Sequence, residues 1–360
     1  MGKKLFLWLL FLYVALSVFL AATTPITPHE AKNLYESHSL VTLLMEWGSY
    51  IVPGLLGLRL FFMLFAFLSL RIFYELSQRY FKKREDVYLS TALFMFLPGI
   101  ITATVLANVG IVVLMLVLLF VLLYERRNFA LLPFIMLALF FIHEASILFF
   151  VALFFYGITH KDKPLTGLSG AFILAFIYLA KGIELSGRPT GHFIEVFGLY
   201  AAVFSPLLFL YFFYTMYRIL LRGPKTLMWY ISFTALVVSL LLSIRQKVYI
   251  TDFAPYVMIS TIAMVEVFMN SLRVRLPQFR KRYKRAFYVV MGFLAISVAM
   301  LLFSRPLYTL TQQHARPFAA QVFSPYYLAK KLKAEGRECY DAEGRAALQL
   351  RYYGISSCKQ

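Results

Sequence analysis

The sequence predicts an all-α polytopic membrane protein with about eleven transmembrane helices. Hydrophobic residues make up 61% of the 360 residues and charged residues only 15%, whereas a soluble domain is about 45–50% apolar. The apolar residues also fall in long uncharged stretches, and about 20 helical residues cross a hydrocarbon layer about 30 Å thick. Because these stretches are rich in Leu, Phe, Ala and Met, we expect helices rather than a β-barrel.

The first apolar stretch follows the basic start MGKK and ends near Ala22. We predict a retained span; a signal peptide with LAATTP as a poor cleavage region is the alternative. Either one leaves Thr23 and the residues after it outside. Ten further spans are predicted, approximately at residues 50–73, 87–106, 108–124, 129–142, 145–159, 166–183, 193–217, 226–244, 253–272 and 286–303.

Basic residues set the orientation of these spans. With breaks at Ala107-Asn108 and at His143-Glu144, the predicted cytoplasmic connections hold twenty Lys and Arg and the outer connections hold five. Removing either break alone puts the seven basic residues of RVRLPQFRKRYKR outside, against the positive-inside tendency of short loops. We therefore expect a multi-pass protein of the cytoplasmic (inner) membrane, with its N-terminus in the cytoplasm and its C-terminus outside. The net charge of +19 is then explained by the basic residues of the cytoplasmic connections. No nucleic-acid partner is expected.

Two domains are predicted. Residues 1–303 form the transmembrane domain, whose outer loop at 23–49 carries a short surface helix, and residues 304–360 form a small soluble tail on the outer side. The two cysteines of the chain, Cys339 and Cys358, both lie in this tail. In an oxidising compartment they would form a disulfide, and two free thiols are the alternative.

Four polar segments remain on the predicted outer side, and ionisable groups near a membrane are a default indication of function. In the first, Thr27, Pro28 and Glu30 form a capping-box pattern, so helix capping alone is one explanation of Glu30. In the second, FFIHEASILFF, His143 and Glu144 interrupt an otherwise uncharged run. They either form a simple turn or lie beside a cavity that opens outward, because a buried carboxylate is costly in hydrocarbon.

The third segment is SIRQKVYITDFAPY, in which Arg245 and Lys247 precede Tyr249. Two cations at an outer membrane edge suit a lipid phosphate, and snorkelling to lipid headgroups is the alternative. The fourth is KGIELSGRPTGH, with Arg188 and His192, for which a solvated loop is the alternative. The sequence has no Walker loop, GxGxxG, CxxC or HExxH motif, so nucleotide and zinc motifs give no guidance.

The order of these segments resembles the GT-C glycosyltransferases, the polyprenyl-phosphate-sugar-dependent enzymes that include protein O-mannosyltransferases and the lipid A aminoarabinose transferase. PHEAKNLYES stands where that family has an acidic motif, commonly Asp-Glu, at the start of the first outer loop. GLRLFFMLFAFLSLRIFYELSQRYFKK is similar to the family's second span, which often reads like RLPSALFG. RQKVYITDFAPYVMI is similar to the late polar stretch that leads into YLLPxxP. The resemblance runs over most of the chain, including the outer C-terminal tail.

The resemblance implies a GT-C-like fold and transfer of a sugar from a polyprenyl phosphate to a glycan, lipid or protein acceptor at the outer face. Such transfer needs a base for the acceptor hydroxyl and cations for the departing phosphate. Glu30 is expected to be the catalytic base. The residues expected to bind substrate are His29, His143, Glu144, Arg188, Arg245, Lys247 and Tyr249.

The lipid-linked sugar is the donor substrate, and membrane lipid is a further expected partner. No bound cofactor is assigned. His29 occupies the place of the family's usual Asp, which leaves open whether a divalent metal is needed.

Two other functions are compatible with the sequence. IHEAS somewhat resembles a His-x-Ser element of O-antigen and polysaccharide polymerases, which also use lipid-linked glycans. A transporter or flippase would bind a lipid-linked sugar without chemistry, but transporters place ionisable residues near mid-membrane and show internal repeats. Because most polar segments here lie at the outer ends of predicted spans, the sequence favours an outward-facing enzyme.

Overall fold

The computed structural model describes residues 1–179, 191–312 and 319–358. It is 82% helical, and the described ranges contain no strand beyond one isolated bridge between Cys339 and Ser356. The α-helices in these ranges are α1 (Lys3–Thr23), α2 (Pro28–Glu36), α3 (Leu40–Ile51), α4 (Leu55–Tyr80), α5 (Arg84–Met95), α6 (Pro98–Val105), α7 (Val109–Glu125), α8 (Leu132–Ile142), α9 (Ile147–His160), α10 (Lys163–Tyr178), α11 (Phe193–Phe204), α12 (Pro206–Arg222), α13 (Leu227–Arg245), α14 (Ile250–Met258), α15 (Thr261–Val274), α16 (Pro277–Leu302), α17 (Ser304–Thr311), α18 (Ala320–Ala334) and α19 (Arg345–Tyr352).

Four of these helices, α1, α4, α13 and α16, are long and apolar enough to cross a membrane. Three pairs meet the same test only together: α5 with α6, bent by 60°, α11 with α12, bent by 105°, and α14 with α15, bent by 43°. The described residues thus contain four such helices, or up to seven if each bent pair is one span. Large apolar side chains such as Trp8, Phe11 and Phe19 of α1 are exposed, as lipid-facing residues would be. The architecture is that of an all-α membrane protein.

Four of the predicted spans correspond to α7, α8, α9 and α10, which are shorter. Each has at most 17 residues, and 17 residues at a rise of 1.5 Å make a helix only about 25 Å long. Helix length therefore does not establish the predicted number of about eleven spans.

Prolines explain two of the three breaks within the bent pairs. Pro98 begins α6 and Pro206 begins α12, whereas Pro255 lies inside α14, before the break that follows Met258. Proline lacks the backbone N–H and disfavours a helical conformation of the residue before it. Ser205, before Pro206, leaves the helical region with φ of +82°.

The chain forms two compact units. Unit 1 comprises Met1–Phe11, Phe65–Ile101 and Val109–Ala295, and unit 2 comprises Leu12–Leu64, Thr102–Asn108 and Ile296–Gln360. The outer loop at 23–49 and the C-terminal tail at 304–360 both fall in unit 2.

In unit 1, α7 is apolar on almost every face and buried along most of its length, as expected of a central helix. It contacts α14, which packs on α13, and α13 in turn packs on α9. Ion pairs tie helix ends together: Glu75 with Arg71 and Arg126, and Asp86 with Arg273.

In unit 2, a close approach of two glycines shapes the turn from α3 into α4. A Cβ atom on Gly57 would lie 1.7 Å from the carbonyl oxygen of Val52, and one on Gly48 would lie 2.1 Å from the carbonyl oxygen of Gly57. No side chain fits at either position. The tight turn fixes the start of α4, in which Arg59 lies two residues after Gly57.

The tail of unit 2 has a small core of its own. Helices α18 and α19 pack together, and Cys339 and Cys358 form a disulfide with 5.0 Å between their Cα atoms. The buried apolar residues of this core are Ala329, Leu332, Leu350 and Ile355.

Candidate functional site

The capping box predicted from the sequence is present at the start of α2. The backbone N–H of Glu30 donates to Thr27 Oγ1 at 3.2 Å, and the backbone N–H of Thr27 donates to Glu30 Oε2 at 2.9 Å. Two N–H groups that a helix start leaves unpaired are thereby satisfied reciprocally. Capping is one function of Glu30.

Glu30 also forms a buried, bidentate ion pair with Arg59 of α4. Arg59 Nε donates to Glu30 Oε1 and Nη2 donates to Oε2, each at 2.8 Å. The Arg59 side chain is fully buried, and only 2% of the Glu30 side chain is exposed. The backbone N–H of Ala107 donates to Oε1 at 2.8 Å, and the hydroxyl of Thr27 donates to Oε2. With the Thr27 N–H, the carboxylate accepts five hydrogen bonds.

The remaining N–H groups of Arg59 bind backbone carbonyls. Nη1 donates to the carbonyls of Ala21 and Thr24 at 2.9 and 2.8 Å, and Nη2 donates to that of Pro25 at 3.1 Å. With the two bonds to Glu30 included, all five N–H groups of the guanidinium donate a hydrogen bond. We call this arrangement the Glu30–Arg59 clamp. It joins the end of α1, the turn after it, the start of α2, α4 and the Ala107 amide.

The clamp determines the protonation of Glu30. Burial alone raises the pKa of a carboxyl group, but here the charge of Arg59 and the hydrogen bonds from Arg59, Ala107 and Thr27 outweigh it and hold the pKa of Glu30 below its usual value. A general base needs access to the substrate proton and a pKa near the working pH. Glu30 has neither in this arrangement, so its geometry favours the capping and structural role over the catalytic one.

The C-terminal tail contacts the same region. Helix α19 packs on α2, and Gln349 Nε2 donates to the carbonyl of Ile26 at 2.7 Å while the N–H of Ile26 donates to the Tyr353 hydroxyl at 3.1 Å. Burial raises the pKa of Tyr353 to about 12, so its hydroxyl stays protonated. His29, predicted to bind substrate, is exposed on α2.

A second cluster of polar side chains lies in unit 1, at the predicted break between two spans at His143-Glu144. His143 Nε2 lies 3.5 Å from Asp252 Oδ1, so the second and third polar segments of the sequence meet. His143 Nδ1 accepts the backbone N–H of Ala145 at 3.1 Å. In the neutral ring the proton therefore sits on Nε2, facing Asp252. We call these two residues the His143–Asp252 pair.

The surroundings of this pair are ordered by buried hydrogen bonds. The hydroxyls of Ser146 and Tyr256 lie 3.0 Å apart, and Ser232 Oγ donates to the carbonyl of Tyr256 at 2.8 Å. The first contact joins the break at His143 to α14, and the second joins α14 to α13. The pair itself stays accessible, with 14% of the His143 side chain and 36% of the Asp252 side chain exposed.

The other residues predicted to bind substrate in these two segments are exposed: Glu144, Arg245, Lys247 and Tyr249. In the described part of the chain, the side chains of Arg245 and Lys247 form no ion pair or hydrogen bond. Both cations are thus available to an anionic ligand.

The fourth polar segment adds little. Arg188, predicted to bind substrate, lies outside the described residues, and nearby His192 Nδ1 lies 2.9 Å from Glu195 Oε2 within α11. No group of three or more His, Cys, Asp or Glu side chains within residues 1–179, 191–312 and 319–358 is arranged to hold a metal ion.

Neither Arg59 nor Asp252 is among the site residues predicted from the sequence. Arg59 lies inside an apolar span, where an ionisable residue implies a buried partner, and this rule was available from the sequence. Asp252 is the single carboxylate of RQKVYITDFAPY, but nothing in the sequence indicated that it faces His143.

Comparison with protein-family models and with curated proteins gives no match. The resemblance to the GT-C glycosyltransferases therefore rests on the sequence segments quoted above.

Proposed function

We propose that the protein is a membrane glycosyltransferase of the GT-C type, which transfers a sugar from a polyprenyl phosphate to an acceptor at the outer membrane face. One observation carries the proposal furthest: the accessible His143–Asp252 pair joins the HEAS break to the segment that bears Arg245 and Lys247. Transfer from a lipid phosphate needs a base and cations, and here the carboxylate of Asp252 supplies a candidate base and Arg245 and Lys247 supply the cations.

The proposed topology has eleven spans, with the N-terminus in the cytoplasm and the tail outside. Each predicted span overlaps an apolar helix or a bent pair of helices, which supports this reading. The short helices α8 and α9 meet at His143. Two short arms would bring the His143–Asp252 pair below the outer surface, beside a cavity open to that side.

In the proposed reaction, the acceptor hydroxyl oxygen attacks the anomeric carbon of the sugar. The bond from that carbon to the phosphate oxygen breaks, and the polyprenyl phosphate leaves with the electron pair. Asp252 accepts the hydroxyl proton, and His143, through its Nε2 proton, orients the carboxylate. Arg245 and Lys247 stabilise the departing phosphate. Glu144 and Tyr249 contact the sugar.

This assignment moves the base from Glu30 to Asp252. Glu30 already accepts five hydrogen bonds in a buried clamp, and protonating it would leave the buried Arg59 without a counter-charge. Asp252, by contrast, has 36% of its side chain exposed, so a substrate hydroxyl could reach its carboxylate.

Mass spectrometry of cell-envelope glycans, lipids and glycoproteins, with and without the gene, tests the proposal. We expect the loss of one sugar unit from one class of acceptor, restored by the parent chain. An envelope with unchanged composition contradicts the proposal, and accumulation of unpolymerised repeat units points to a polymerase instead.

A further inference from the structure

A cavity of about 620 Å³ lies where the last turns of α12 and the loop after it face α15. Its volume is within the range of small-molecule sites, about 300–1,000 Å³. The charged and polar side chains that line it include Arg218, Arg222, Glu266 and Asn270. All lining residues belong to unit 1, and the basic loop beside the cavity is one that the sequence predicts to be cytoplasmic.

The charges in this cavity are not neutralised by one another. Arg218 Nη1 donates to Ser271 Oγ at 2.9 Å, which holds that guanidinium at the edge without an acidic partner. Within the described ranges, Arg222 and Glu266 form no ion pair or side-chain hydrogen bond. Both arginines are exposed, whereas Glu266 is half-buried. The cavity therefore presents two cations at its mouth and one unpaired acid further in.

A second polar cavity of the same unit differs in that its acid is already paired. It measures about 530 Å³ and is lined by Arg71, Glu75, Arg79 and Arg126, among others. There, Glu75 already pairs with Arg71 and Arg126. A ligand ammonium would have to displace a guanidinium from Glu75, whereas Glu266 has no such competitor.

We infer that the cavity at Glu266 binds the headgroup of an ethanolamine phospholipid. The phosphate lies against Arg218 and Arg222, which offer charge-assisted hydrogen bonds. The primary ammonium, with its three N–H donors, lies against Glu266. Leu220 and Leu221 are exposed next to the arginines, on the surface that the acyl chains would cover. The one phosphate thus meets the two cations of the cavity, and the one ammonium meets its acid.

Other headgroups fit this arrangement less well. A glycerol headgroup carries no cation and would leave Glu266 unpaired. A choline headgroup carries a cation, but its trimethylated nitrogen has no N–H to donate to the carboxylate. The inference is independent of the proposed glycosyl transfer and requires only that the chain lies in a membrane.

Native mass spectrometry of the delipidated full-length protein tests this inference, with phosphatidylethanolamine, phosphatidylcholine and phosphatidylglycerol of matched acyl chains as probes. We expect the ethanolamine lipid to bind about tenfold more tightly than the choline lipid, the effect of about one charge-assisted hydrogen bond. Glu266→Gln should abolish this preference, and Arg222→Ala should weaken binding of all three lipids. Arg71→Ala, in the second cavity, is the matched control. It should leave the preference for the ethanolamine lipid and the binding of all three lipids unchanged.

Equal binding of the ethanolamine and choline lipids by the parent protein would overturn the inference, as would a preference that survives in Glu266→Gln. Soluble phosphoethanolamine distinguishes a lipid from a free headgroup compound. If it binds as tightly as the lipid, the site belongs to a soluble metabolite and the lipid assignment is wrong.

Discussion

Glu30 accepts five hydrogen bonds with 2% of its side chain exposed, whereas Asp252 has 36% exposed and faces His143 at 3.5 Å. Each carboxylate lies beside a basic side chain, Arg59 for Glu30 and His143 for Asp252. Both carboxylates are in segments that the sequence predicts to be outside the membrane. The Glu30–Arg59 clamp is closed, because every guanidinium N–H has a partner. The His143–Asp252 pair, by contrast, is partly exposed. The surroundings of a carboxylate, more than its presence at a motif position, thus separate a structural role from a chemical one.

Breaking the clamp should have the largest effect on stability. Arg59→Ala leaves the Glu30 carboxylate buried without its counter-charge, and we expect a loss of about 3–5 kcal/mol in the free energy of unfolding. Thermal and chemical unfolding in detergent would measure it. Arg71→Ala is the matched control, since it removes an arginine whose side chain is 63% exposed in its pair with Glu75 and should cost less than about 1 kcal/mol. Equal effects of the two changes would mean that the clamp is not closed.

The clamp should also make stability depend on acid. The folded pKa of Glu30 lies below its ordinary value of 4.5, so the unfolded chain binds the proton more readily than the folded one. The stabilisation from the Glu30 charge is therefore complete above about pH 4.5 and is lost as the pH falls through the lower, folded pKa.

Comparison with Glu30→Gln isolates this contribution, because Gln does not titrate. The parent should be more stable than the variant at neutral pH, and the difference should shrink as the pH falls below about 4.5. A difference that is constant over this range would show that the Glu30 charge does not stabilise the fold.

The smallest effect concerns the cap. Thr27→Ala removes the hydroxyl that accepts the Glu30 N–H, and we expect a loss of about 1 kcal/mol. Thr27→Ser keeps the hydroxyl and should restore most of the stability. If both variants unfold like the parent, the side-chain half of the capping box contributes nothing.

The sequence predicted the local features of this molecule better than the distant contacts. The capping box at Thr27 depends on residues three apart and follows from a local rule. The breaks before Pro98 and Pro206 also follow from a local rule, but spans 87–106 and 193–217 were predicted as continuous. The clamp joins Glu30 to Arg59 and to the Ala107 amide, across 29 and 77 residues. Similarly, His143 and Asp252 are 109 positions apart in the sequence. No periodicity in the sequence specifies such contacts.

The number of spans likewise depends on more than the local sequence. Hydropathy located the apolar stretches, and each corresponds to a helix or a bent pair. Whether a short helix such as α8 crosses the bilayer depends on its neighbours and on the lipid thickness beside it, and neither is encoded in the stretch itself.

Transfer activity of Asp252→Asn and Glu30→Gln, each measured beside its thermal stability, tests the central claim most directly. Both changes remove a charge at nearly constant shape. If Asp252 is the base and Glu30 belongs to the clamp, Asp252→Asn should lose about 100-fold or more in turnover while unfolding like the parent. Glu30→Gln should unfold at lower temperature but keep near-parental turnover per folded molecule. The opposite pattern, an inactive but stable Glu30→Gln beside an active Asp252→Asn, would contradict the account and return the catalytic role to Glu30.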